Sequence, residues 1–142
     1  MDLPPKLISA SVTICEKVLL EKDEIVSAIR IVDVCHTPDE QRSVLVTILG
    51  RVHFSPDDLS EHTVQLKAIR PDGEPRDVGE PFPIRLSEVM TKEPSAPRGI
   101  NLILNVAVAT KVTGLHRIVL AVDGIEVAWS HFTLLLQRSE KN

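Results

Sequence analysis

"VLAVDGIEVAWSHFTLLLQ", residues 119–137, reads as strand, two-residue turn, strand. Asp123-Gly124 between two apolar runs is a strong hairpin signal, because a type I′ turn needs positive φ at both central positions. Pairing Val122 with Ile125 sets Leu120 against Val127 and Ile118 against Trp129, apolar on both sides throughout. A slip of one residue would exchange the faces, so this agreement argues for the register. Beyond Trp129 the count breaks. Ile125, Val127 and Trp129 share one parity, while Phe132, Leu134 and Leu136 share the other. Either the break brings His131 out for chemistry, or one extra residue near Ser130 and His131 forms a β-bulge. We read it as a bulge, which returns Phe132, Leu134 and Leu136 to the core and sets Phe132 opposite His116. Trp129 is then expected as a core pillar, its alternative being a surface anchor for a partner.

The same pattern of short apolar strands and turn signals runs through the chain, with almost no helical periodicity. Strands are expected at 7–14, at 25–34 and at 43–54, where Gly50 suggests a bend or bulge. A fourth follows in "HTVQLKAIR". Phe82, Ile84 and Leu86 face inward on a short fifth strand, which Pro81 and Pro83 confine to a sheet edge. One helical turn fits near residues 88–91. A sixth strand carries Ile100, Leu102, Leu104, Val106 and Val108 inward, and the hairpin completes the set. About eight strands imply a single domain, residues 1–142, built as an all-β sandwich of two antiparallel sheets.

Composition agrees. Aromatic residues make up 3% of the 142 residues and tyrosine is absent, so packing rests on β-branched and aliphatic side chains that favour strands. A net charge of −4 with scattered basic residues argues against nucleic acid as a partner. No apolar run approaches a membrane span, and the first ten residues lack a signal-peptide pattern. Cys15 and Cys35 are expected as free thiols, consistent with a cytoplasmic location.

"HTVQLKAIRPDGE" followed by "GLHRIVLAVDGIEVAWSHFTLLL" resembles a family of small bacterial proteins built as one immunoglobulin-like β-sandwich. The resemblance spans roughly Leu7 to Leu136 and rests on the Pro-Asp-Gly turn and the closing hairpin. It implies the immunoglobulin-like fold and brings no activity, cofactor or catalytic residues. Such sandwiches often place a tyrosine two residues after a glycine ahead of the penultimate strand, for a backbone hydrogen bond. Gly114-Leu115-His116 puts histidine there, so the bond is lost or supplied by imidazole.

The residues give little support to chemistry. No two of His36, His53, His62, His116 and His131 have the i, i+2 or i, i+4 spacing that gathers metal ligands. Cys35 and His36 are neighbours that point to opposite faces of a strand. No serine lies in a nucleophile elbow, and neither cysteine has a nearby relay. Asp57-Asp58 and Asp72, Glu74 and Asp77 read as solvated turns, not calcium loops. We therefore expect no catalytic residues, cofactor or metal.

What remains is surface. Ile25, Ile29 and Ile31 share one parity of the second strand, while Val26, Val32 and Val34 share the other. Leu45, Leu49, Ile103 and Val119 add apolar groups to the outward parity of other strands. Together they form a candidate interface, since monomers rarely leave such a patch uncovered; the other reading is that residues 87–99 or the N-terminal segment fold over that face. The expected role is a non-enzymatic interaction module, a homodimer or a subunit bound to another protein. The alternative is a small-ligand or metal-binding sandwich that uses its end loops.

Overall fold

The computed structural model describes residues 6–22, 25–38, 43–89, 93–109 and 112–137. Its strands are β1 (Leu7–Leu20), β2 (Val26–Ile31), β3 (Val34–Pro38), β4 (Ser43–Phe54), β5 (Glu61–Ile69), β6 (Pro75–Arg85), β7 (Arg98–Ala109), β8 (Gly114–Val122) and β9 (Ile125–Gln137). They form a four-stranded sheet ordered β2-β1-β4-β7 and a five-stranded sheet ordered β3-β9-β8-β5-β6. The all-β, two-sheet expectation holds. The antiparallel one does not, because β3 pairs with β9 in parallel.

The cause lies in residues 25–34, read from the sequence as one strand. Past Arg30, whose φ is 54°, the chain leaves the first sheet after Ile31 and joins the second at Val34. Crossing without a hairpin preserves direction, so β3 arrives parallel to its new neighbour. Val32 N donates to Ile14 O at 2.8 Å and Thr133 N donates to Asp33 O at 2.9 Å. Those two bonds close one long side of the sandwich with backbone. The segment's apolar residues therefore serve two different sheets, Val26, Ile29 and Ile31 the first and Val34 the second.

Even-numbered residues of β4, β5, β7 and β8 supply most of the core, with Ile14, Ile84, Leu86, Phe132 and Leu134. Gly50 is not a bulge: β4 pairs with β7 in one unbroken register from Ser43 to Phe54. Gly50 sits on the inward parity, where a Cβ would meet Leu102 at 3.7 Å and Leu120 at 3.8 Å. Both are ordinary van der Waals distances, so the packing there does not demand glycine. The edge position expected from Pro81 and Pro83 holds, since β6 ends the five-stranded sheet. Ile84 and Leu86 are buried there, whereas Phe82 is exposed. The helical turn expected at 88–91 falls partly outside the described residues; a 3₁₀ turn spans Leu86–Glu88.

Asp123 and Gly124 have φ of 52° and 80°, and Val122 pairs with Ile125, as the turn chemistry requires. The bulge exists, but earlier than expected. Ala121 opposes Glu126 and Leu120 opposes Ala128, so the extra residue is Val127. An insertion before Trp129 moves that ring to the outward parity, opposite Val119. Trp129 is accordingly 58% exposed and is no core pillar. Phe132 opposes His116 as expected. Phe132 and Leu134 are buried, while Leu136 lies near the end of the strand and is exposed.

Candidate functional site

Two features of the sandwich invite a functional reading: a buried ionic cluster at one end and an uncovered side. The cluster forms where the 55–60 loop enters β5. Asp58 N donates to Ser55 O at 3.0 Å. Ser60 N donates to Asp58 Oδ1 at 3.0 Å, an aspartate-capped turn that aims the carboxylate inward. From the hairpin tip, Asp123 Oδ1 accepts from Thr63 N at 2.9 Å, and Asp123 N donates to Thr63 O at 2.8 Å. His62 lies between the two carboxylates. Its Nδ1 is 2.6 Å from Asp123 Oδ2 and its Nε2 is 2.8 Å from Asp58 Oδ2. The ring stacks on Phe54 at 4.4 Å.

Burial alone would push the His62 pKa down. The hydrogen bonds and charges of Asp123 and Asp58 outweigh it and raise that pKa above the ordinary imidazole value. Burial likewise works against ionised Asp58, but bonds from Ser60 and His62 prevail and lower its pKa. Ser60 Oγ lies 3.1 Å from His62 Nε2 and 2.5 Å from Asp58 Oδ1, so serine, histidine and aspartate are within reach of one another. They do not make a nucleophilic triad. A ring with a carboxylate on each nitrogen holds two N–H bonds and has no lone pair to accept the serine proton. The carboxylates also point at opposite ring nitrogens and converge on no shared metal position. The cluster is a charged latch between loop, strand and hairpin.

The sequence reading missed this latch, having assigned Asp58 to a solvated turn and Asp123 to turn geometry alone. One signal was present: Asp58, Ser60 and His62 alternate at i, i+2 and i+4. The second carboxylate comes from a position 61 residues beyond His62, and pairing of Val64 with Val122 brings it there. Elsewhere, His116 Nε2 donates to Val112 O at 2.7 Å, so imidazole does supply the backbone bond expected of a tyrosine. Arg70 pairs with Asp72 and Glu74, which places a cation among the acidic residues of that loop. Cys15 and Cys35 are free; burial raises the pKa of both thiols.

The candidate interface residues divide by strand position. Ile25, Ile29, Ile31, Leu45 and Ile103 are exposed, Ile31 and Leu45 by 66% and 69%. Leu49 and Val119 are not: they are 4% and 1% exposed. Leu49 sits on central β4 between Thr13 and Ile103. Val119 belongs to the other sheet, on β8 between Lys67 and Trp129. Outward parity was read correctly in both, but flanking strands close over a central one. With Leu19 of β1, every strand of the four-stranded sheet carries an exposed large apolar residue.

The side of the sandwich opposite the β2–β3 crossing is open. Between β7 and strands β5 and β6 lies a cleft of about 290 Å³, lined by Val64, Leu66, Val78, Phe82, Leu102 and Leu104 among others. The inward residues of β7, Ile100 through Val108, pack against the core but none is fully buried. Among the described residues, the four-stranded sheet has no strand beyond β7.

No protein-family model matches the chain. No curated protein matches it. Among solved structures it is similar to the Pseudomonas fluorescens alkylpurine DNA glycosylase AlkC bound to DNA containing an abasic-site analogue. The TM-score is 0.50 at 10% identity, over 87% of this chain and 30% of that one. The chain thus spans less than a third of that protein's length, and the likeness concerns the fold. No helix among the described residues is long and apolar enough to cross a membrane.

Proposed function

We propose that this protein is a non-enzymatic interaction module of immunoglobulin-like type, related to the small bacterial sandwiches it resembles and working in the cytoplasm. Its binding surface is the four-stranded sheet. The observation that supports this is the exposed apolar set Leu19, Ile29, Ile31, Leu45 and Ile103, which puts at least one such residue on every strand of that sheet, among polar neighbours such as Lys17, Arg51 and Asn101. Burying such side chains contributes roughly 25 cal/mol per Å² of apolar surface, a gain that only a partner can realise. The partner is a protein, a second copy or another chain. A net charge of −4 makes nucleic acid a poor fit for this surface despite the DNA-bound structural neighbour. The alternative, a small-ligand or metal-binding sandwich that uses its end loops, draws no support from His62, which two carboxylates already hold.

Purification from the native cells, followed by light scattering across a concentration series, tests the reading. We expect either self-association or a stoichiometric protein partner. A chain that stays monomeric throughout and brings no partner with it overturns the proposal.

A further inference from the structure

A sheet edge exposes unpaired N–H and C=O groups, and proteins ordinarily blunt such edges with proline, charge, bulges or short strands. Three of the four edges here are blunted. β6 carries Pro75, Pro81 and Pro83, with Gly79 at a φ of 76°. β3 has five residues and ends at Pro38, and β2 has six and contains Arg30 at positive φ. β7 is different. It runs for 12 residues in a single register with β4, and it contains no proline and no charged side chain after Arg98.

Its sequence is also self-complementary. Asn101-Leu102-Ile103-Leu104-Asn105 reads the same in both directions, and Ile100 and Val106 extend the likeness. Antiparallel pairing of two identical strands about a two-fold axis sets residue i against j and j against i, so a palindrome matches like with like. With Ile103 on the axis, asparagine meets asparagine and leucine meets leucine across the join. Arg51 Nε donates to Asn101 Oδ1 at 3.0 Å, and the Asn105 side-chain amide lies 2.8 Å from Thr47 Oγ1, whose single proton has a second acceptor in Glu16 O at 3.0 Å. Both amides are thus held toward β4.

We infer that β7 pairs with β7 of a second copy, Ile103 facing Ile103, to make one continuous eight-stranded sheet. This rests on the interaction-module reading and names its partner. No like charges meet at the axis, although each chain carries −4 overall. Nine paired residues span about 30 Å at ~3.4 Å each. With side chains reaching about 5 Å from the sheet on each face, half the ~10 Å spacing of packed sheets, the strip covers on the order of 300 Å² per copy. That lies well under the roughly 800 Å² per partner of a stable interface. Phe82, exposed at the mouth of the cleft, supplies part of the remainder. The dimer is therefore concentration-dependent.

The test combines scattering with cysteine cross-linking in a Cys35→Ala background, using copper-phenanthroline as the oxidant. Residues on a two-fold axis of antiparallel strands have Cα atoms about 4.5–5.5 Å apart, within disulfide range. Ile103→Cys is expected to cross-link to itself. Asn101→Cys and Asn105→Cys are expected to cross-link when mixed, but neither alone. Ile103→Lys sets two cations face to face and should raise the dimer Kd roughly a hundredfold. Leu115→Lys, exposed on the five-stranded sheet, should leave the Kd unchanged, with thermal melts confirming that the variants fold. A dimer that resists Ile103→Lys but fails with Ile31→Lys pairs through its faces and overturns the inference. So does a monomer that captures a different protein, an outcome that leaves the interaction-module reading standing. A monomer without any partner removes both.

Discussion

His62 and His116 face the same core from opposite ends of the five-stranded sheet, and each stacks flat on a phenylalanine. The His62 ring lies 4.4 Å from Phe54 at 15°, and the His116 ring 5.2 Å from Phe132 at 11°. Both are nearly inaccessible to solvent. Their partners differ. His62 is held by two carboxylates, whereas His116 donates one bond to the Val112 carbonyl. Identical residues in matching sockets therefore do different work, one as the cation of a buried ion cluster and one as a hydrogen-bond donor to a loop. The backbone supplies the socket, and the second shell of polar groups decides the role.

Replacing each histidine by phenylalanine keeps a flat ring for stacking and removes only the polar partner. His62→Phe leaves Asp58 buried without its cation and should cost about 3–5 kcal/mol, as breaking a buried ion pair does. His116→Phe leaves one carbonyl without a donor and should cost about 1 kcal/mol. Urea unfolding followed by circular dichroism measures both. Equal losses would mean that stacking dominates at both ends and that the carboxylates add nothing.

The same contrast has a pH signature. The folded-state pKa of His62 lies above its unfolded value of about 6.5. Its contribution is therefore complete below about pH 6.5 and is lost as pH rises through the raised value. The folded-state pKa of Asp58 lies below its unfolded value of about 3.9. Its contribution is complete above about pH 4 and is lost as pH falls through the lowered value. The stability advantage of the native chain over His62→Phe should thus be widest between about pH 4 and 6.5 and shrink on the alkaline side. An advantage that stays constant from about pH 5 to pH 9 would show that folding leaves the imidazole pKa unshifted, and one that rises with pH would show a ring buried neutral.

Of these two ends, the one at His116 was largely legible in the sequence and the one at His62 was not. Gly114-Leu115-His116 and the Asp123-Gly124 turn are local signals, and the pairing of His116 with Phe132 follows from counting outward along one hairpin. The latch at His62 joins a loop to a turn through the β5–β8 register, which alternation alone does not specify. Alternation also fails where a strand changes sheets, as after Ile31, since it assumes that one segment has one inner face. It cannot tell a central strand from a peripheral one, which is why Leu49 and Val119 looked exposed. Nor can it place a bulge, because an extra residue anywhere between Val122 and Phe132 restores the later parity equally well.

That last ambiguity gives the smallest of the predicted effects. A third ring pair, Trp129 with His131 at 5.9 Å, sits on the outward side of the same hairpin, with Arg117 4.9 Å from the indole centroid. Buried aromatic truncations cost about 3–5 kcal/mol, but little of this indole is removed from water. Trp129→Ala should forfeit an exposed cation–π contact of about 0.5–1 kcal/mol and part of the cover over Val119. The total is about 1 kcal/mol, comparable with His116→Phe and well under His62→Phe. Circular dichroism must follow unfolding, since the substitution removes the only tryptophan. In the native chain the indole fluorescence should be red-shifted and readily quenched by iodide. A blue, protected emission with a loss near 4 kcal/mol would instead place the extra residue after Trp129 and turn the ring into the core.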